Sequence, residues 1–294
     1  LADVYRKVRN TSRYLLGNLH DFNPASDAIA VADLPLLDRW MLQRTAEVMD
    51  EITEAFESYE FFRFFQLLQN FCVTDLSNFY LDIAKDRLYV SAPADQRRRS
   101  CQTVMALIIE RLAGFIAPVL CHMAEDIWQN IPYPVQETSV FQRGWPTIPS
   151  DWRNDTLSAP VQQLRDLRAA VNKVLEDCRG RQELGASLEA AVRIDARSPE
   201  LQAALSWLND NGDLDVDGLR DWLLVSQLQL GGEPWAEVLA SHEDNLALIE
   251  VSRARGTKCE RCWHYEGDVG QHPDHPHICG RCVGVLERRT HQLA

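Results

Sequence analysis

Residues 61–89 read FFRFFQLLQNFCVTDLSNFYLDIAKDRLY. The first half of this stretch is apolar on nearly every side, the pattern of a helix surrounded by neighbours rather than one lying on a surface. It is therefore expected at the centre of a bundle, and the second half continues as helix with Asp82, Lys85, Asp86 and Arg87 spaced for intrahelical ion pairs.

Working outward, the flanking segments carry helical periods of their own. Residues 3–20 place Val4, Tyr5, Val8, Leu15, Leu16 and Leu19 on one side and stop at HDFNP. Leu37, Trp40, Met41, Val48, Ile52, Ala55 and Phe56 define a second amphipathic helix. Residues 97–131 supply one or two more, with Gly114 and Pro118 expected to kink or divide them. Arg97, Arg98 and Arg99, at the start of that segment, are expected to face solvent.

Five prolines (Pro132, Pro134, Pro146, Pro149 and Pro160) mark the way out of the bundle. A helix is expected from Pro160 to Cys178, with a face that could pack on the bundle. From Ser187 the period changes to two, with Leu188, Ala190, Val192 and Ile194 alternating as in a half-buried strand. Residues 198–212 read as a helix with Ser198 as N-cap, Pro199 at the first helical position and Gly212 as the stop. WLLVSQLQL and ALIEVS read as further strands. The expected fold is thus mainly α: an antiparallel helical bundle over residues 1–150, a junction with a small α+β unit over 151–251, and a C-terminal four-cysteine zinc module over 252–294.

The 294 residues are 46% hydrophobic and 25% charged, a composition that excludes disorder. No run approaches 18 apolar residues and no secretory signal is present, so no membrane span is expected and the cytoplasm is the expected compartment. The chain starts at Leu1, apparently inside a helix, and reads as a segment of something longer. The net charge of −13 is concentrated: residues 195–250 hold twelve Asp and Glu against Arg197 and Arg220, which leaves −3 for the rest. Basic faces are therefore possible elsewhere. Arg6, Arg9 and Arg13, spaced i, i+3 and i+7, share a helical face that is either solvated or suited to successive phosphates.

Four of the eight cysteines (Cys72, Cys101, Cys121 and Cys178) stand singly in helical patterns, as small buried hydrophobes do. The other four, Cys259, Cys262, Cys279 and Cys282, form C-x2-C-x16-C-x2-C. That spacing fits two knuckles closing four thiolates around one zinc ion. A redox dithiol would open a helix in a βαβ pattern, which is missing here. With four thiolates no coordination position stays open, so the ion is structural and organises a module too small to fold on a core of its own. His264, His272, His275 and His277 could compete as ligands, but QHPDHPH reads as a solvated loop. Lys258, Arg261 and Arg281 are expected to offset the −2 of a tetrathiolate zinc. Trp263 either packs over the metal or offers its face to a nucleotide base. No nucleophile elbow, phosphate-binding glycine loop or pair of catalytic carboxylates is present. A zinc-containing protein-interaction module without RNA contact is the alternative reading.

Taken together, YRKVRNTSRYLLGNL, YEFFRFFQLLQNFCVTDLSNFYLDIAKDRLY, FIAPVLCHMAEDIWQ, LRAAVNKVLEDCRGRQELGASLEAAV and KCERCWHY…CGRC resemble the C-terminal part of bacterial isoleucyl-tRNA synthetases, members of class I. The resemblance implies zinc on the four cysteines, and anticodon contact through Arg6, Arg9, Arg13, Arg261, Arg281 and a stacking Trp263. It implies isoleucine tRNA (anticodon loop and stem) and the catalytic domain of the same polypeptide as partners of a monomer. ATP belongs to the parent's catalytic part, because the HIGH and KMSKS signatures do not occur in these residues. The family usually has Pro where this chain has Glu260.

Overall fold

The computed structural model describes residues 2–211 and 218–293, with side chains to residue 288. Two compact units divide the chain, Leu1–Asp155 and Thr156–Ala294. Among the described residues no helix is long and apolar enough to cross a membrane. Gly212, expected to stop a helix, lies outside the described residues, as do three of the clustered acidic residues, Asp213, Asp215 and Asp217.

The first unit is helical. Its elements are α1 (Ala2–Gly17), a short α2 (Pro24–Asp27), α3 (Leu36–Glu57), α4 (Phe61–Asn70), a π-helical turn over Phe71–Tyr80, α5 (Leu81–Val90), α6 (Gln96–Ile116) and α7 (Cys121–Gln129). α1 buries Val8, Thr11, Ser12 and Leu15, the stripe its period requires. α6 is buried along most of its length, so it takes the central place, while α4 buries only Phe64 and Leu68. The expectation that the FFRFF stretch is central therefore fails at its first turn. Phe61 and Phe62 project from the end of the unit, 47% and 75% exposed. Periodicity cannot distinguish a buried helix from one whose leading turn overhangs its neighbours.

In the π-helical turn the Cys72 carbonyl accepts from Ser77 Oγ at 2.7 Å and from Thr11 Oγ1 at 3.3 Å. The hydroxyls add to the i→i+5 backbone pattern of the wider helix, and Thr11 ties it to α1. Gly114 does not break α6, which runs on to Ile116, and the division falls at Pro118. A Cβ at Gly114 would collide with the Pro146 ring. Its role is close packing, not flexibility.

Two of the charged expectations and one of the cysteine expectations are corrected. Arg87 turns inward: it is 2% exposed and its Nη1 donates to Asp38 Oδ2 at 2.7 Å, with Tyr80 Oη donating to Asp38 Oδ1 at 2.5 Å. This buried set pins α5 to the start of α3, while the Lys85–Asp82 pair does form on the helix surface. Nor do Arg97, Arg98 and Arg99 face solvent. Arg98 binds Asp21 with two guanidinium nitrogens, Arg99 reaches the Asp21 carbonyl at 2.8 Å and Asp27 at 3.5 Å, and Arg97 reaches Asp86 at 3.4 Å. Arg98 and Arg99 clasp the segment after α1, which supplies the Asp21 and Asp27 carboxylates and the Asp21 carbonyl, while Arg97 ties the start of α6 to α5. Burial would raise the Asp21 carboxyl, but hydrogen bonds from Arg98 and Gln102 outweigh it and hold it down to about 2. Finally, Cys121 is exposed at the head of α7, whereas Cys72, Cys101 and Cys178 are buried as expected.

α3 ends in a Schellman motif, with Glu60 N–H on the Ala55 carbonyl at 2.7 Å and Tyr59 N–H on that of Phe56 at 3.1 Å. The left-handed residue, usually glycine, is Tyr59 at φ +59. An L side chain there costs roughly 1–2 kcal/mol.

The second unit starts with α8 (Ser158–Gly180), whose buried stripe runs from Val161 through Leu164, Leu167, Val171 and Val174 to Cys178. β1 (Ala190–Ala196), α9 (Pro199–Asn211), α10 (Leu219–Leu223), β2 (Gln227–Leu230), β3 (Ala240–Glu243) and β4 (Ala247–Arg253) follow. The sheet order is β2-β1-β4-β3, parallel only between β1 and β2, which need the intervening α9 and α10 to return the chain. Val192 and Ile194 face Val251 and Ile249 across the β1–β4 ladder, with α8 packed on β3 and β4 and α9 on β1. The Ser198 cap forms, its Oγ accepting from Leu201 N–H at 3.0 Å. WLLVSQLQL is only half a strand: its first residues make α10, and Leu224 at φ +55 ends that helix before β2. β3 escaped the sequence reading because ASHE carries no apolar alternation.

Candidate metal centre and basic helix face

The last segment folds around sulfur. β5 (Thr257–Lys258) and β6 (Tyr265–Glu266) pair antiparallel and bring Cys259 and Cys262 into the knuckle between them. Cys259 N–H donates to the His264 carbonyl at 2.8 Å, and Trp263 N–H to the Cys259 carbonyl at 2.9 Å. Gly256, at φ +98, lets this hairpin close: a Cβ there would sit 2.5 Å from the Glu266 carbonyl oxygen. The second knuckle carries Cys279 and Cys282 into the first turn of α11 (Gly280–Leu293). Asp268 Oδ2 accepts from Gly280 N–H at 2.7 Å and anchors that turn.

The ligand atoms of Cys259, Cys262, Cys279 and Cys282 all lie within 4.8 Å of one another, and all four residues are buried. Sγ–Sγ separations are 3.8 Å for Cys259–Cys282 and 3.7 Å for Cys262–Cys279. Zinc–sulfur bonds of about 2.3 Å in a tetrahedron place sulfurs roughly 3.8 Å apart, so the set has the right size for a four-thiolate ion. Cys259 and Cys282, and likewise Cys262 and Cys279, are in hydrogen-bond contact. Hydrogen bonds from Cys262 and Cys282 hold Cys279 down to about 4, while such contacts push Cys282 far above the ordinary thiol range. Arg261 Nη1 donates to Cys282 Sγ at 3.7 Å and Cys279 N–H to Cys259 Sγ at 3.4 Å. These donors and the N-terminus of α11 favour thiolate over thiol.

The histidines stay outside the sulfur cluster. His272 reaches Asp268 at 3.5 Å, His277 is exposed beside Glu260, and buried His264 contributes its carbonyl to the first knuckle. The Lys258 ammonium lies 5.7 Å from the centre of the Trp263 ring. Trp263 itself is 61% exposed at φ +69. Of its two readings, packing over the metal is thus the one the structure disfavours.

The module is tied to the sheet of its own unit. Tyr265 N–H donates to Ser226 Oγ at 2.8 Å, and Arg220 lies 3.6 Å from Glu266. Ser226 and Arg220 were not singled out by the sequence, because a lone serine beside a strand gives no signal of a partner forty residues away.

Two family matches bear on these observations. Residues 38–194 match the family described as anticodon-binding domain of tRNA ligase, and residues 256–284 match the zinc finger found in FPG and IleRS. The first covers more than half of the chain. The chain belongs to the anticodon-binding domain family of tRNA ligases. Similar proteins include the isoleucine–tRNA ligase of Parasynechococcus marenigrum (strain WH8102), 97% identical over 293 residues, which are 100% of this chain and 30% of that protein. The isoleucine–tRNA ligases of Synechococcus sp. (strain CC9311) and Prochlorococcus marinus (strain MIT 9313) are 76% and 75% identical over 289 residues, 98% of this chain and 30% of each relative. The chain thus spans just under a third of the relatives it matches, and corresponds to their C-terminal part.

In this anticodon-binding family member the basic residues of α1 separate. Arg9 and Arg13 line an open cleft of about 430 Å³ together with Tyr5, Asp126 and Asn130. Arg6 is exposed and pairs with Asp3 at 2.7 Å. Arg261 is committed to sulfur, and half-buried Arg281 lends its charge to the surroundings of Glu266. Arg9, Arg13 and Trp263 are the sequence-selected residues best presented for contact with a ligand.

Proposed function

We propose that this chain is the tRNA-recognising, C-terminal part of an isoleucine–tRNA ligase. Residues 1–150 form the helical anticodon-binding part, 151–251 the junction, and 252–294 a module closed around one structural zinc ion held by Cys259, Cys262, Cys279 and Cys282. Arg6, Arg9 and Arg13 meet the phosphates of isoleucine tRNA, Trp263 stacks on an anticodon base, and Arg261 and Arg281 flank it. Activation of isoleucine with ATP takes place in the catalytic part of the same polypeptide, which acts as a cytoplasmic monomer.

The observation that carries this reading is the joint occurrence, in one chain, of the anticodon-binding match and a four-sulfur cluster of zinc dimensions. The zinc supplies no reaction. It fixes the knuckle on which Trp263 is displayed, so that stacking costs little further ordering. The test is footprinting of isoleucine tRNA with zinc retained. Protection of anticodon nucleotides, weakening steeply with salt, is expected. Lack of protection at every anticodon position defeats the reading.

A further inference from the structure

We propose that Tyr59, Phe61 and Phe62 form a docking surface for the part of the polypeptide that precedes this chain in the full-length protein. The inference rests on the reading of the chain as the C-terminal part of a longer ligase, the relatives being more than three times its length. The three side chains are 80%, 47% and 75% exposed and cluster at the turn between α3 and α4. They form the outer rim of an aromatic network. Phe61 lies edge-on to Tyr59 at 6.3 Å and to Phe56 at 5.6 Å, and Phe56 continues to Phe64 and to Trp145, which is 39% exposed. Large aromatics in water at the end of a well-packed helical unit are the usual mark of an interface. Tyr59 adds a second sign, because it holds the left-handed position of the α3 cap where glycine would fit without strain. A bulky ring kept there, 80% exposed and edge-on to Phe61, is placed for contact with a partner.

The occupant follows from where the chain enters. Thr11 of α1 lies against Cys72 and Ser77, and Tyr14 Oη accepts from Tyr89 Oη, so α1 advances in the same direction as the 61–90 helix. Going back from Thr11 to Ala2 covers about 14 Å, and from Cys72 to Phe62 about 15 Å. The start of α1 and the aromatic tip therefore share one end of this unit, and polypeptide preceding α1 arrives beside Phe61 and Phe62. Charge selects against a second copy as occupant. The α3–α4 turn carries Glu54, Glu57 and Glu60, with Arg63 held by Glu54 at 2.9 Å and Glu60 at 3.4 Å. Two-fold pairing through this acidic turn would set like charges against each other.

The experiment places a benzophenone side chain at the tip of the full-length polypeptide (Phe62→p-benzoylphenylalanine) and maps the photo-crosslink by mass spectrometry. The expected product is an intramolecular link to a residue preceding this chain. A link to tRNA, to a second copy or only to neighbours within the chain overturns the proposal, as does no link at all. In parallel, Phe62→Asp is expected to speed limited proteolysis between the two parts severalfold, whereas Phe141→Asp, at a comparably exposed phenylalanine, leaves the rate unchanged. Equal rates for the two variants count against docking. Isoleucine charging by the unmodified protein is measured separately: its loss would defeat the ligase reading while leaving the crosslink result standing.

Discussion

The helical unit and the four-cysteine module solve the same problem by opposite means. In the first, α6 is enclosed by its neighbours, and the buried Asp38 carboxylate is neutralised internally by Arg87 with Tyr80. In the second, few apolar side chains are buried among the described residues, and the four sulfurs form the buried cluster. The difference teaches where each part is vulnerable. The bundle depends on many contacts of moderate size, the module on its cysteine cluster, and the two should fail independently.

The sharpest way to break the comparison is Cys279→Ser. Binding of structural zinc supplies about 10–16 kcal/mol in small zinc-finger peptides, and a shell reduced to three thiolates retains only part of it. Hydrogen exchange should show residues 256–284 opening while α6 stays protected, with a matching loss of bound zinc. Simultaneous loss of protection in α6 would mean that the two regions are one cooperative unit.

Next in size is Arg87→Ala, which leaves the Asp38 carboxylate buried without its cation and should cost about 3–5 kcal/mol. Thermal denaturation followed by helix content reads the loss, and zinc content should not change. A drop below about 1 kcal/mol would show that water reaches Asp38 and that the pair is less enclosed than its burial implies.

Trp263→Ala should leave both regions folded and zinc bound, yet weaken tRNA binding by about 1–3 kcal/mol if one base stacks on the ring. Unchanged affinity in a filter-binding titration would return Trp263 to a packing role.

The smallest effect concerns the arginine clasp. Asp21 is held down to about 2 from an ordinary 3.8, a folded-state depression, so its contribution is complete above pH 3.8 and fades as pH falls through 2. Melting temperatures of native protein and Asp21→Asn between pH 5 and pH 2 should converge at the acid end. A gap that stays constant across that range would remove the titration of Asp21 as its cause.

The sequence by itself determined the elements with strong local signals. The helical stripes of α1, α3 and α8, the Ser198 cap and the sulfur spacing could be read directly, because each is fixed by residues within one or two turns, or by a ligand set whose chemistry admits few alternatives. Tertiary structure alone decided which apolar positions are covered. Phe61 and Phe62 have the same local pattern as a core helix, yet they overhang the unit, because coverage depends on where neighbouring helices stop. It also decided the partners of charge: Arg87, Arg98 and Arg99 look like surface residues until the fold brings Asp38 and Asp21 against them. Spacing along a chain specifies periodicity and ligand number, whereas the desolvation that makes a charge pair necessary is created only when distant segments close over it.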